Sequence, residues 1–147
     1  MIIKLIKNEY LSIDYKYFLY FLCVISLIIY YGNYRCKHLK KHKDILEFSL
    51  FKNSNKYGLD GWSITHLLFY FFIGFLYPNT FIISMVMGLI WELIETYIGY
   101  YKPEYIRGYG FCKLTGNKYK VWWYGKWSDI IINITGFLLG SYMSYLK

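Results

Sequence analysis

The longest uncharged segment of the chain constrains the fold most, because residues 61–91 contain no Asp, Glu, Lys or Arg. A helix needs about 20 mostly apolar residues to cross the ~30 Å hydrocarbon core of a membrane. The segment is longer than one such helix, and Pro78 and Asn79 mark a tight turn that divides it. The sequence therefore predicts two membrane-spanning helices, at residues 62–77 and 80–101.

Two further apolar segments, at residues 17–34 and 127–146, complete the predicted bundle. The chain is 56% hydrophobic and 24% aromatic, yet its formal net charge is +8. This combination is typical of a membrane protein with basic loops. We therefore expect an all-α integral membrane bundle of about four transmembrane helices that forms a single domain over residues 1–147.

The basic residues are distributed unequally among the predicted loops. The two loops that precede the second and fourth helices contain 13 of the 17 Lys and Arg residues. The positive-inside rule places both of these loops in the cytoplasm and both termini outside, and basic loops attract anionic phospholipid. The stretch at residues 35–52 fits either an interfacial helix or a solvated basic loop. No recognised binding module indicates a nucleic-acid partner.

Polar and small residues recur at steps of three and four along three of the predicted helices. Such steps keep side chains on one face of a helix. The sets are Trp62, His66, Tyr70 and Gly74 on the second helix, Gly88, Glu92, Glu95 and Gly99 on the third, and Asp129, Asn133, Gly136 and Gly140 on the fourth.

The five polar members of these stripes are expected at one depth in the membrane. A rise of 1.5 Å per residue puts His66, Glu92, Glu95, Asp129 and Asn133 in the half of the membrane next to the basic loops. An ionisable residue near the centre of a span costs about 2.5–3.5 kcal/mol, so such residues face protein or water. We predict that the five side chains line a shared polar pocket, which is the candidate catalytic site.

The carboxylates of this pocket favour a metal ion. Glu92, Glu95 and Asp129, together with the side-chain carbonyl of Asn133, offer the hard oxygen ligands that calcium, magnesium and manganese prefer. We expect a divalent cation there, with calcium favoured, because a cation offsets the repulsion among three acids. His66 would then be the general base that activates a hydroxyl.

The same residues also fit a purely structural explanation. Intramembrane Glu, His and Asn side chains can hydrogen-bond helices together, Asp129 can be the first-turn acid of the last helix, and Gly136-x-x-x-Gly140 is a common packing motif. The alternative function is therefore a non-enzymatic membrane module whose stripes serve helix packing or partner binding. A proton or ion path is a third hypothesis, and it requires a homo-oligomer because four short helices make a poor conduit.

The three cysteines are an odd number at unrelated positions, which predicts no disulfide framework. Cys23 lies within an apolar segment and is interpreted as a packing residue. Cys36 follows the same segment between two basic residues, where palmitoylation is one hypothesis.

The polar pattern resembles that of the VanZ-like family of small helical membrane proteins. A His in a span is followed by E-x-x-E at Glu92 and by D-x-x-x-N-x-x-G-x-x-x-G from Asp129, and the resemblance covers about residues 60–140. The chain departs from that family at Glu95, where Gln is common. It also has a long loop at residues 102–126, where Arg107 is the candidate for the family's loop Arg.

The polar core is also similar to that of base-exchange phosphatidylserine synthases. The similarity rests on a His before a span, on "WELIE" ending at Glu95, and on Trp122 and Trp123 shortly before Asp129. It implies that the acids bind calcium and that the His acts as a base. The chain departs in its shorter length, in Tyr124 where that family has an acid, and in a shorter Asp-to-Asn spacing. The resulting hypothesis is a phospholipid or lipid-linked head-group transferase or hydrolase at the cytoplasmic face.

Overall fold

The computed structural model describes residues 15–38, 46–50, 59–113 and 119–147. These residues form four α-helices and a two-stranded hairpin, so the fold is mostly helical, as expected, and the hairpin departs from the predicted all-α class. The elements are α1 (Tyr15–His38), α2 (Gly61–Leu76), α3 (Phe81–Tyr101), a 3-10 helix (Glu104–Ile106), the antiparallel strands β1 (Phe111–Lys113) and β2 (Tyr119–Val121), and α4 (Trp127–Tyr145).

Two of the helices, α1 and α3, are long and apolar enough to cross a membrane. The helix α2 is a shorter apolar helix of 16 residues, and α4 has 19 residues. All four carry exposed leucines, among them Leu22, Leu68, Leu93 and Leu138. Large exposed apolar surfaces suit a lipid environment better than water. The fold therefore supports association with a membrane, whereas a crossing by all four helices stays a prediction.

The closest helix pair is formed by α2 and α4. Gly136 and Gly140 of α4 lie directly against the backbone of α2, and Gly74 of α2 lies against the backbone of Phe137. A Cβ atom at any of these three glycines would overlap main-chain atoms of the other helix. Small residues at such a contact let two helix backbones approach closely. The Gly136-x-x-x-Gly140 motif thus serves packing in this fold.

Tyr17 attaches the N-terminal end of α1 to the bundle. Its side chain is fully buried, and its hydroxyl shares a 2.9 Å hydrogen bond with the hydroxyl of Ser84 on α3. Its ring meets the ring of Tyr77 edge-on and packs beside Phe21, which in turn meets Phe69 of α2. These contacts join α1 to α2 and α3 at the end of the bundle that carries the α2–α3 turn.

A disulfide attaches the other end of α1. Cys36 is bonded to Cys112 of β1, with a Cα–Cα distance of 5.0 Å. The sequence predicted no disulfide framework, whereas the structure has this one disulfide, and palmitoylation of Cys36 is excluded while its sulfur is bonded. The two cysteines meet because the hairpin after α3 folds back onto α1, which no local spacing reveals. Cys23 is exposed on α1, so its interpretation as an interior packing residue was wrong.

The basic stretch at residues 35–52 falls partly outside the described residues, which omit residues 39–45 and 51–58. The choice between an interfacial helix and a solvated loop therefore stays open. Within the described part, Arg35 lies in the last turn of α1 and is buried. Glu47, which lies in a short irregular piece, forms an ion pair with Arg35 at 3.1 Å.

The tight α2–α4 contact gives a first prediction. Gly140→Ala places a methyl group against the α2 backbone, so the free energy of unfolding in mixed detergent micelles should fall by about 1–3 kcal/mol. Thr135→Ala, at an exposed position of the same helix, is the control and should change it by less than about 0.5 kcal/mol. An unchanged stability of Gly140→Ala would show that the two helices do not approach this closely.

Candidate functional site

Asp60 fixes the start of α2 beside the start of α4. Its Oδ1 accepts hydrogen bonds from the backbone N–H groups of Trp62 (3.0 Å) and Ser63 (3.3 Å), and its own N–H donates to the Ser63 hydroxyl. Reciprocal bonds of this kind form a capping box. The Oδ2 atom of Asp60 accepts a 2.6 Å hydrogen bond from Lys126 Nζ, at the N-cap of α4. One carboxylate thus joins the two helix starts.

Four of the five predicted site residues meet just below these helix starts. His66 Nδ1 lies 3.0 Å from Asn133 Oδ1, and Glu92 Oε1 lies 4.0 Å from the same nitrogen. Asp129 Oδ1 accepts a 3.3 Å hydrogen bond from the Ser63 hydroxyl. One potential ligand atom from each of His66, Glu92 and Asp129 lies within 4.8 Å of the other two. The expected convergence of α2, α3 and α4 side chains is therefore present at these positions.

Glu95, the fifth predicted residue, lies outside the His66–Glu92–Asp129 group. It follows Glu92 by three residues on α3 and lines the wall of the adjoining pocket together with His66 and Asp129. Asn133 Oδ1, which was expected to bind the cation, is engaged by the imidazole of His66 instead. The group that the structure assembles is thus one His and two acids, whereas the sequence predicted three acids and an amide.

The two oxygens of Glu92 have different surroundings. Its Oε2 accepts a 2.8 Å hydrogen bond from the backbone N–H of Lys126, and Gly125 packs against its backbone carbonyl. Its Oε1 is buried and has no hydrogen-bond partner among the described residues. A buried carboxylate oxygen without a partner is costly unless a proton or a cation lies next to it. The donor set around Oε1 therefore fits a bound cation.

The tautomer of His66 follows from its partner. The Oδ1 atom of Asn133 can only accept a hydrogen bond, so with this amide orientation the proton lies on His66 Nδ1. The other ring nitrogen, Nε2, then keeps its lone pair and is free to act as a base or as a metal ligand. Asn133 is buried and holds the ring in place.

Two basic side chains also border the pocket, and the sequence analysis singled out neither. The guanidinium of Arg35 lies 3.9 Å from the ring centroid of Trp122, which places a desolvated cation–π contact on the α1 side. Lys126 lies on the α4 side. Burial alone would lower the pKa of the Lys126 ammonium, but its hydrogen bond to Asp60 raises that pKa above the ordinary value overall. Lys126 is therefore charged at neutral pH.

The candidate site borders a small polar cavity of about 50 Å³. Its volume exceeds the ~10–15 Å³ that a cavity needs to hold one water molecule, so it accepts an ion or a small polar group. Both signs of charge border it, and most of its remaining lining is aromatic. Its principal residues are Arg35, Trp62, His66, Glu95, Trp122, Trp123, Lys126 and Asp129.

Comparison with known proteins assigns this arrangement to no family, because no family model, curated protein or solved structure matches the chain. The resemblance to VanZ-like proteins and to base-exchange phosphatidylserine synthases stays a prediction from the sequence motifs.

The double role of Asp60 gives a second prediction. Asp60→Ala removes both the cap of α2 and the ion pair with Lys126, and should lower the free energy of unfolding by about 1–2 kcal/mol. Asp60→Asn keeps an oxygen that can cap the helix but loses the charge, so its loss should be clearly smaller. Thermal unfolding of both variants in one detergent measures the difference. Equal losses would show that the ion pair, and not the cap, accounts for the effect.

Proposed function

We propose that the chain is a membrane protein that binds the head group of a phospholipid or lipid-linked compound and transfers or hydrolyses it with the help of a divalent cation. The observation that carries the proposal is Glu92 Oε1, a buried oxygen with no hydrogen-bond partner among the described residues. One potential ligand atom from each of His66, Glu92 and Asp129 lies within 4.8 Å of the other two. A structural helix contact would not need an unsatisfied carboxylate oxygen at this point.

The roles of the residues follow from their lone pairs. The single lone pair on His66 Nε2 serves either a cation or a proton, and we assign it to the proton. Glu92 and Asp129 then hold the cation through oxygen alone, which favours calcium over metals that prefer nitrogen. Asn133 orients the imidazole, and Glu95 borders the space where the head group would lie.

A cation held between Glu92 and Asp129 would neutralise phosphate charge and polarise a phosphorus–oxygen bond. His66 Nε2 would accept the proton of an attacking hydroxyl, whose oxygen bonds to phosphorus while the bond to the departing head-group alcohol breaks. The protonated His66 would then return that proton to the departing alkoxide. Lys126 and Arg35, which border the same pocket, would attract the phosphate.

Measurement of head-group release and exchange tests this proposal. The purified chain in defined phospholipid liposomes should show calcium-dependent activity. His66→Ala should lower the rate by about 10²–10⁴-fold, the usual contribution of a general base, and Glu92→Gln should also abolish the calcium dependence. The matched control is Glu104→Gln, an exposed acid in the 3-10 helix, and it should leave the rate unchanged. Activity that survives both site variants would contradict an enzymatic role.

The second candidate is a non-enzymatic module that binds a lipid or a partner helix. It is favoured by the fact that Ser63–Asp129 and His66–Asn133 both join α2 to α4, as structural hydrogen bonds would. This candidate predicts that Glu92→Gln and Asp129→Asn preserve both function and assembly.

The orientation of the chain is part of the proposal. On the charge bias, all four helices cross the membrane with both long basic loops in the cytoplasm. The disulfide between Cys36 and Cys112 argues for the opposite orientation, because disulfides persist in oxidising compartments and are rare in the cytoplasm. The two orientations thus predict different redox states for Cys36 and Cys112.

Thiol labelling of intact cells distinguishes the two orientations. In a Cys23→Ser background, loops in the cytoplasm would be exposed to reduction of the Cys36–Cys112 bond, so a membrane-permeant maleimide would label both cysteines and an impermeant one would label neither. Cysteines that resist both reagents until a reductant is added, and then react with the impermeant one, would place the loops outside.

A further inference from the structure

A large apolar cavity of about 560 Å³ lies between α1, α2 and α3. Its volume falls within the range of about 300–1,000 Å³ that is usual for ligand sites. Apolar side chains at steps of three and four line its two long walls, so each helix presents a continuous stripe to it. The stripes are Phe21, Val24 and Ile28 on α1, and Met87, Ile90 and Ile94 on α3.

The cavity exists because α1 is attached at its ends and stands away from α3 in its middle. One attachment is the hydrogen bond between Tyr17 and Ser84, and the other is the disulfide between Cys36 and Cys112. Between them, α1 meets α2 through aromatic contacts such as Tyr20 on Phe69, whose rings stack at 5.3 Å. The cavity occupies the space between α1 and α3.

The apolar cavity adjoins the small polar pocket of the candidate site. Ile28, Tyr31, Trp62, His66 and Glu95 line both spaces. A ligand that fills both would therefore have a long apolar part and a compact polar part. Both signs of charge border the polar end, and its two cations, the guanidinium of Arg35 and the ammonium of Lys126, are complementary in charge to a phosphate.

We propose that this cavity holds one acyl chain of a phospholipid whose phosphate lies in the polar pocket. The inference rests on the proposed function and adds a substrate class to it: a long-chain phospholipid, recognised by its chain as well as by its head group. The length of the acyl chain should therefore control the affinity, although the reaction takes place at the head group.

The test compares two phospholipids with the same phosphoglycerol head group, dipalmitoyl and dihexanoyl phosphatidylglycerol. Each is added to the purified full chain in detergent, and bound lipid is counted by native mass spectrometry. The dipalmitoyl lipid should bind at least about tenfold more tightly, because its chain buries many more methylene groups. Equal affinities would overturn the inference.

A pair of variants tests whether the acyl chain binds in the cavity. Val24→Trp fills the cavity and should lower the affinity for the dipalmitoyl lipid about tenfold while leaving binding of glycerol 3-phosphate, which has no chain, unchanged. Leu22→Trp adds the same side chain at an exposed position of α1 and should leave both affinities unchanged. If Val24→Trp does not fold, Met87→Phe from the opposite wall replaces it. Equal affinities of the cavity variant and the control for the dipalmitoyl lipid would overturn the inference.

Failure of the inference is distinguishable from failure of the proposed function. If the protein binds glycerol 3-phosphate and acts equally on lipids with short and long acyl chains, the head-group site is supported and only the acyl-chain site is refuted. If the long-chain lipid binds in the cavity but Glu92→Gln leaves the reaction rate unchanged, the proposed chemistry is refuted and the acyl-chain site is supported.

Discussion

The close approach of α2 and α4 is the constraint on which the site depends. Gly136 and Gly140 allow the two backbones to touch, and only at that separation can short polar side chains bond from one helix to the other. His66 reaches Asn133, and Ser63 reaches Asp129, because of this separation. A wider gap would leave buried polar groups without partners, which costs more than a lost packing contact.

Glu92 connects this helix pair to α3 and to the loop before α4. Its Oε2 accepts from the backbone N–H of Lys126, so it supports the start of α4, while its Oε1 lies 4.0 Å from His66 Nδ1. The structural role and the proposed chemical role thus fall on different atoms of one side chain. A helix contact and a cation site are therefore compatible at this residue.

Much of the fold and part of the site follow from sequence periodicity. The helices and the meeting of His66, Glu92, Asp129 and Asn133 were predictable, because steps of three and four determine helix faces directly. The hairpin and the disulfide were not, since they depend on a loop folding back over a long sequence separation. The role of Asp60 had a local signal, an acid three residues before Ser63 at the start of an apolar helix. Arg35 had none, because its partner Trp122 is far away in the chain.

The attachment of α1 at both ends has a mechanical consequence. A helix that is attached at both ends can bend in its middle, but it cannot rotate away from the bundle as a whole. In the proposed lipid complex, the acyl chain would therefore enter sideways from the bilayer, between α1 and α3. Supply would then depend on the surrounding leaflet, so membrane thickness and fluidity would govern how fast the interior fills and empties.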